Sequence, residues 1–167
     1  MDGIKRFFKD NFTFLLLLVL IIIIKFFVVS PIRVNGDSMN PTLEDRDIMI
    51  LDEISYRFSE IKRFDIVVVR KNGEYLIKRV IGLPGDTIRY EDNTLYINDK
   101  KVEEKFEHED TKDFETKVPN NRYFIMGDNR INSVDSRMIG PVTKREILGK
   151  TNFTIYPFNK FGKVEKK

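Results

Sequence analysis

The stretch Tyr75-Leu76-Ile77-Lys78-Arg79-Val80-Ile81-Gly82-Leu83-Pro84-Gly85-Asp86 decides the fold class. Its first half is rich in β-branched and aromatic residues, and it ends in Pro-Gly-Asp turn chemistry, so it reads as a strand entering a tight turn. Just upstream, Asn72-Gly73 separates it from a second such run, Asp65 to Arg70. An Asn-Gly pair between two strand-like runs is a strong hairpin signal. Further out, Asp47 to Leu51, Thr87 to Tyr90, Thr94 to Ile97, Tyr123 to Met126 and Gly149 to Tyr156 are short runs of the same kind, each bounded by turn residues. The predicted class is mainly β. Thr143 to Ile147 is predicted as one short helix with Thr143 as its cap. Glu103 to Lys117 carries many charges and only two phenylalanines, so it reads as a charged, solvated loop or peripheral insertion with no assigned chemistry.

The chain begins differently. Phe12 to Val29 is an apolar run of 18 residues interrupted only by Thr13 and Lys25. As a helix it spans about 27 Å, close to the thickness of a bilayer core. Lys25 lies near the far end, where its stem can reach the interface. A cleaved secretory signal is the competing reading, but Val28-Val29-Ser30-Pro31 offers no small-x-small cleavage site. A buried globular helix is the other, and this run shows no polar face. Lys5, Arg6 and Lys9 then favour an N-inside orientation. The expected organisation is a cytoplasmic N-terminus over 1–11, a transmembrane anchor over 12–29 and an extracytoplasmic β-domain over 30–167. That domain, of roughly 135 residues, suffices for one core. The tail from Lys160 holds four lysines and one glutamate, which fits either anionic lipid or a frayed terminus.

Composition narrows the chemistry. The net charge is +3 with 33% of residues charged, both signs interspersed, so no basic block points to nucleic acid. Cysteine is absent and His108 is the single histidine, which removes thiol nucleophiles, thiolate metal sites and histidine triads. No metal or cofactor is expected, and a serine nucleophile here needs another base.

Three segments could supply such chemistry. Ser38 lies in Asn35-Gly36-Asp37-Ser38-Met39-Asn40-Pro41-Thr42-Leu43, a turn able to present a hydroxyl and aim backbone N–H groups at an oxyanion. The alternative is an ordinary structural turn. Strand alternation puts Lys78 on one face with Leu76 and Val80, and Arg79 on the other. Aliphatic neighbours desolvate Lys78, and a fall of roughly 3 pKa units from about 10.4 would make it a base near neutrality. The alternative is a lysine snorkelling from an edge strand. Gly127-Asp128-Asn129-Arg130-Ile131-Asn132-Ser133-Val134-Asp135-Ser136-Arg137 fails the calcium-loop spacing, since Arg130 takes the third place and Ser133 the sixth. It reads as an ion-paired loop in which Asp128, Asp135, Arg130 and Arg137 fix geometry and Ser133 supplies a hydroxyl, or else as a polar turn with weak surface pairs. Gly36-Asp37-Ser38-Met39-Asn40 fails the G-x-S-x-G elbow, and Ser59-Glu60-Ile61-Lys62 matches S-x-x-K without the companion motifs.

Taken in order, these segments resemble the bacterial type I signal peptidases, serine peptidases with a Ser/Lys dyad, in their shorter Gram-positive form. Ser38 to Leu43 is similar to the nucleophile box, Asp65 to Val69 to the strand after it, Ile77 to Asp86 to the base box, and Gly127 to Arg137 to the closing box. The resemblance implies a β-domain of antiparallel sheets behind a single N-terminal transmembrane helix. It implies Ser38 as nucleophile and Lys78 as general base, with Ser133, Asp128, Asp135, Arg137 and Arg79 in support. It also implies a cleft for secreted preproteins at the membrane lipid surface, favouring small residues at the first and third positions before the cut. By position, Ile32, Val34, Met39, Leu43, Val68, Leu76 and Ile77 would line its pockets, with ordinary core packing as their alternative role. Arg46 and Phe64 stand where the family usually has glycine, Leu76 replaces a common tyrosine, and Gly36 replaces an oxyanion-donating serine of some members. A specialised maturase of pilus, surface or conjugation proteins, and a membrane-tethered binder of signal sequences that does not cut, are the competing functions.

Overall fold

The structure, a computed structural model, describes residues 11–27 and 30–164. Helix α1 (Phe12–Phe27) is followed by β1 (Ser30–Arg33), β2 (Ile48–Asp52), the single-turn α2 (Ser55–Phe58), β3 (Ile66–Lys71), β4 (Glu74–Gly82), β5 (Thr87–Glu91), β6 (Thr94–Ile97) and β7 (Lys100–Lys101). Then come β8 (Phe114–Lys117), β9 (Arg122–Met126), the single-turn α3 (Ser136–Ile139), β10 (Val142–Thr143), β11 (Ile147–Tyr156), a 3-10 turn and β12 (Gly162–Lys163). The fold is mainly β, as expected.

Two antiparallel sheets form the body. The larger runs β1-β2-β11-β3-β4-β9-β10 with β12 beside β11; the smaller runs β7-β6-β5-β8. The β3–β4 hairpin turns at Asn72 and Gly73, whose φ of 53° and 87° are the two positive values that an Asn-Gly hairpin turn requires. Strand β9 pairs only with the second half of β4, from Arg79↔Met126 onward, so Glu74 to Lys78 has an open edge on that side. Where β4 is paired on both edges it is buried on both faces, which accounts for the unbroken apolar run Val80-Ile81.

Val67, Val69, Val80, Ile125 and Val142 pack together within the larger sheet, and Val34, Met39, Leu43, Met49 and Ile66 gather where the 34–43 turn lies on it. The smaller sheet encloses Ile81, Ile88, Tyr90, Leu95, Phe106, Phe124 and Met126.

Four expectations need correction or completion. Thr143 to Ile147 forms no helix: Thr143 ends β10, the Glu146 carboxylate accepts from its N–H (2.6 Å) and hydroxyl (2.9 Å), and Ile147 opens β11. Thr143 therefore closes a turn, and single helical turns stand at 55–58 and 136–139, so the one expected short helix is replaced by two.

The 103–117 segment is irregular up to Asp113, yet it is not peripheral. Phe106 is 7% exposed in the core, Thr111 is buried, and Phe114–Lys117 adds β8 to the smaller sheet. Its charges conceal the few apolar side chains that anchor it.

The structure adds β1 to the expected strands; it carries Pro31 at a sheet edge, where a missing donor is tolerated.

Among the described residues no helix is long and apolar enough to cross a membrane; α1 has 16 residues, with Phe12, Phe14 and Val19 more than half exposed. Lys5, Arg6, Lys9, Val28, Val29 and the last three residues lie outside the described residues, and the placement of Lys25 lies outside the described side chains.

Candidate active site

Strand β4 brings Lys78 against the 35–43 turn. Its Nζ lies 2.7 Å from Ser38 Oγ and 3.0 Å from the Ile77 carbonyl oxygen. Ser38 is half-buried and Lys78 is only 2% exposed. Burial pushes the Lys78 ammonium down from 10.5 to about 8, while the carboxylates of Asp135 and Asp128 pull the other way. A substantial fraction of this amine is neutral near pH 8, with a hydroxyl in hydrogen-bond reach. Such a pair can transfer a proton from serine to lysine without any third residue. Among the described residues no group accepts from the Ser38 N–H, which leaves that donor free beside the hydroxyl.

The next residue on β4 points the other way and does structural work. Arg79, 3% exposed, donates through Nε (2.9 Å) and Nη2 (2.6 Å) to the two oxygens of Asp128, a buried bidentate pair. Thr42 Oγ1 donates to Asp128 (2.6 Å), and Arg79 Nη1 donates to the Phe64 carbonyl (3.1 Å). The nucleophile turn, strand β4 and the 127–137 loop are thus tied at one carboxylate.

Asp135 ties the other end of that loop. It accepts from Gly127 N–H (3.0 Å) and from Arg137 Nε (2.9 Å) and Nη2 (2.7 Å), and caps α3. Burial raises its carboxyl pKa, but the Arg137 and Gly127 hydrogen bonds outweigh this and hold it below the ordinary value. Asn129 N–H donates to the Ser38 carbonyl at 3.2 Å, and a Cβ at Gly127 would overlap that carbonyl and the Ser133 hydroxyl. Ser133 Oγ is buried and has no hydrogen-bond partner of normal geometry among the described residues. The Ser133 hydroxyl stands where the loop meets the Ser38 turn and adds to the groups that lower the Asp135 carboxyl pKa.

A cavity of about 360 Å³ opens at Ser38 and Lys78. Six of the seven residues expected to line pockets are in its wall: Ile32, Val34, Met39, Val68, Leu76 and Ile77. Leu43 is not. It is 1% exposed and packs with Met39, Met49 and Ile66, the core role that stood as its alternative. Leu51, the last residue of an expected strand, and Leu148, outside every expected element, also line the wall.

A family model for "Signal peptidase, peptidase S26" matches residues 4–156. The chain belongs to the signal peptidase family, peptidase S26. It is 43% identical over 161 residues to signal peptidase I S of Bacillus subtilis (strain 168), covering 87% of each chain. It is 34% identical over 165 residues to signal peptidase IB of Staphylococcus aureus, covering 86% of each. Among solved structures it is similar to a signal peptidase I from Enterococcus faecalis V583, with 36% identity, a TM-score of 0.50, and coverage of 55% of this chain and 97% of that one.

Both positions where the resemblance led one to expect glycine have a left-handed backbone in the peptidase. Arg46 and Phe64 sit at φ of 71° and 68°, left-handed conformations that L-residues enter at a cost of about 1–2 kcal/mol. Phe64 offsets this by packing edge-on against Phe106, 5.4 Å between ring centres; the Arg46 side chain is 76% exposed and has no such compensation. Gly36 has φ of 80° and its N–H donates to Asp45, so the position suits glycine better than serine.

Proposed function

We propose that this peptidase cleaves signal peptides from secreted preproteins by a Ser38/Lys78 dyad. The observation that carries the reading is the 2.7 Å contact between Ser38 Oγ and a buried Lys78 whose pKa lies at about 8. Neutral Lys78 takes the Ser38 proton as Oγ attacks the scissile carbonyl, and the Ser38 N–H stabilises the oxyanion. The lysine then passes that proton to the departing amine of the mature chain, leaving an acyl-enzyme. Water attacks the ester and Lys78 takes one of its protons and returns it to Ser38 Oγ, while the signal peptide leaves as a carboxylic acid that ionises in solvent. Ser133 orients the lysine amine; the Arg79–Asp128 and Asp135–Arg137 pairs hold the two ends of its loop.

The substrate lies extended over the cavity, with small side chains at the first and third positions before the cut facing Ile32, Val34, Met39, Val68, Leu76 and Ile77. Two features support this pose: the open edge of β4 over Glu74 to Lys78, and the outer edge of β1, which pairs only with β2. Unpaired strand edges supply main-chain partners to an extended peptide whatever its sequence. Residues 12–29 anchor the enzyme in the membrane with the N-terminus cytoplasmic and the β-domain outside. The apolar, largely exposed α1 supports an anchor, since it buries none of its described large side chains against the domain.

The test is cleavage of a preprotein with an Ala-x-Ala site by detergent-solubilised wild type, Ser38→Ala and Lys78→Ala. Cutting after that site by wild type alone is expected. Wild-type rates from Lys78→Ala would end the dyad reading, and a folded but inactive wild type would favour a specialised maturase or a binder.

A further inference from the structure

Arg130 was the one charge of the 127–137 loop left without a role by the dyad. It is fully buried, and each of its nitrogens is used. Nε donates to the Gly127 carbonyl (3.0 Å), Nη1 to Tyr90 Oη (2.8 Å) and Thr111 Oγ1 (2.7 Å), and Nη2 to Glu104 Oε1 (2.6 Å). Glu104 is itself only 5% exposed. A buried ion pair of this kind is a poor source of net stability, because desolvation of both charges consumes most of the attraction. Its value lies in geometry: a guanidinium saturated on three sides cannot shift without leaving a buried charge unpaired.

What it fixes is Gly127, the residue whose Cα abuts both the Ser133 hydroxyl and the Ser38 carbonyl. The same charged segment touches the loop twice more. Glu109 N–H donates to the Asp128 carbonyl (3.0 Å), and the Phe106 ring lies under the Arg79 guanidinium, 3.8 Å from its centre, and 5.9 Å from that of Arg130. None of the residues that make these contacts lines the cavity at Ser38 and Lys78.

We infer that Glu104, acting through Arg130 and Gly127, is a positioning residue for the reaction, and that the 103–113 segment serves as a clamp on the loop that carries Ser133. The inference rests on the Ser38/Lys78 reading. Because the clamp does not border the cavity, loosening it lowers kcat and leaves KM unchanged.

Kinetics of the full chain in detergent test this on a signal-peptide substrate, beside Ser38→Ala and Lys78→Ala. Glu104→Ala is expected to lower kcat about tenfold with KM within twofold, the size of loss that sub-ångström misplacement produces. Glu104→Gln, which keeps an oxygen acceptor for Arg130, is expected to recover most of it. In a Ser133→Ala background the same Glu104→Ala change is expected to cost less than about twofold, since the group it positions is gone. Losses that multiply independently, or wild-type kcat in a folded Glu104→Ala enzyme while Ser38→Ala and Lys78→Ala are dead, overturn this inference alone. Activity in Lys78→Ala overturns the dyad as well. If Glu104→Ala does not fold, Thr111→Val removes one Arg130 acceptor without changing shape and is read in the same cycle, where independence again overturns the clamp.

Discussion

Raising the pH from 7 to 9 titrates one group at the heart of the site. With the Lys78 pKa at about 8, the neutral amine makes up about a tenth of the enzyme at pH 7, half at pH 8 and nine-tenths at pH 9. Since only the neutral form accepts the Ser38 proton, kcat/KM is expected to rise about fivefold between pH 7 and 8 and less than twofold between 8 and 9. Initial rates on a fluorogenic signal-peptide substrate in detergent, at constant ionic strength, measure this directly. Asp135 favours the ammonium, so Asp135→Asn is expected to move the midpoint to lower pH. A flat profile between pH 7 and 9, or a midpoint near the 10.5 of an ordinary lysine, refutes the assignment of Lys78 as base.

Three substitutions probe other parts of the structure. Gly127→Ala forces a methyl group onto Ser38 O and Ser133 Oγ, and is expected to lower kcat about a hundredfold in a protein that still folds, as read by rates and near-UV circular dichroism. Lys78→Met removes a charge that burial disfavours: the folded state binds fewer protons than the unfolded between about 8 and 10.5, so wild-type stability rises with pH over that window. The variant is therefore expected to be more stable by about 3 kcal/mol at pH 7, with the gap closing by about pH 10.5, as urea titrations at several pH values would measure. Arg46→Gly relieves a left-handed arginine at an exposed turn and is expected to add about 0.5–1 kcal/mol and a few degrees of Tm; an unchanged or lower Tm contradicts the strain argued at φ 71°.

The strands were legible because their causes are local. Alternation and turn residues mark β2, β3, β4, β5, β6, β9 and β11 to within about two residues. What escaped depends on distant partners. Pro31 is tolerable in β1 because that strand is a sheet edge, and Phe106 reaches the core through Phe64, the apolar side chains of the smaller sheet and the guanidinium faces of Arg79 and Arg130. Thr143 offered a helix cap, but Glu146 bound it three residues on and β11 followed too closely for a second turn.

In the site, Ser38 and Lys78 stood out by motif, yet their meeting across 40 residues is a property of the folded sheet. Met39 and Leu43 lie in the same turn, outside any strand pattern, and both are 1% exposed; only the fold puts Met39 on the cavity wall and Leu43 behind it. Arg130 was visible as a charge in the loop; its partner Glu104 was hidden among the solvated acids of the 103–117 segment.

Strand β4 places an amine that must shed its proton next to a guanidinium that never does, on consecutive residues facing opposite ways. Its register against β3 and β9 is therefore a chemical switch as much as a structural one. A slip by one residue would carry Arg79 to the place of Lys78 beside Ser38 and put Val80 before Asp128, so the base and the buried ion pair would be lost together. The hairpin at Asn72-Gly73 is what forbids that slip, so a one-residue insertion in the turn is a catalytic lesion written in the grammar of strand pairing.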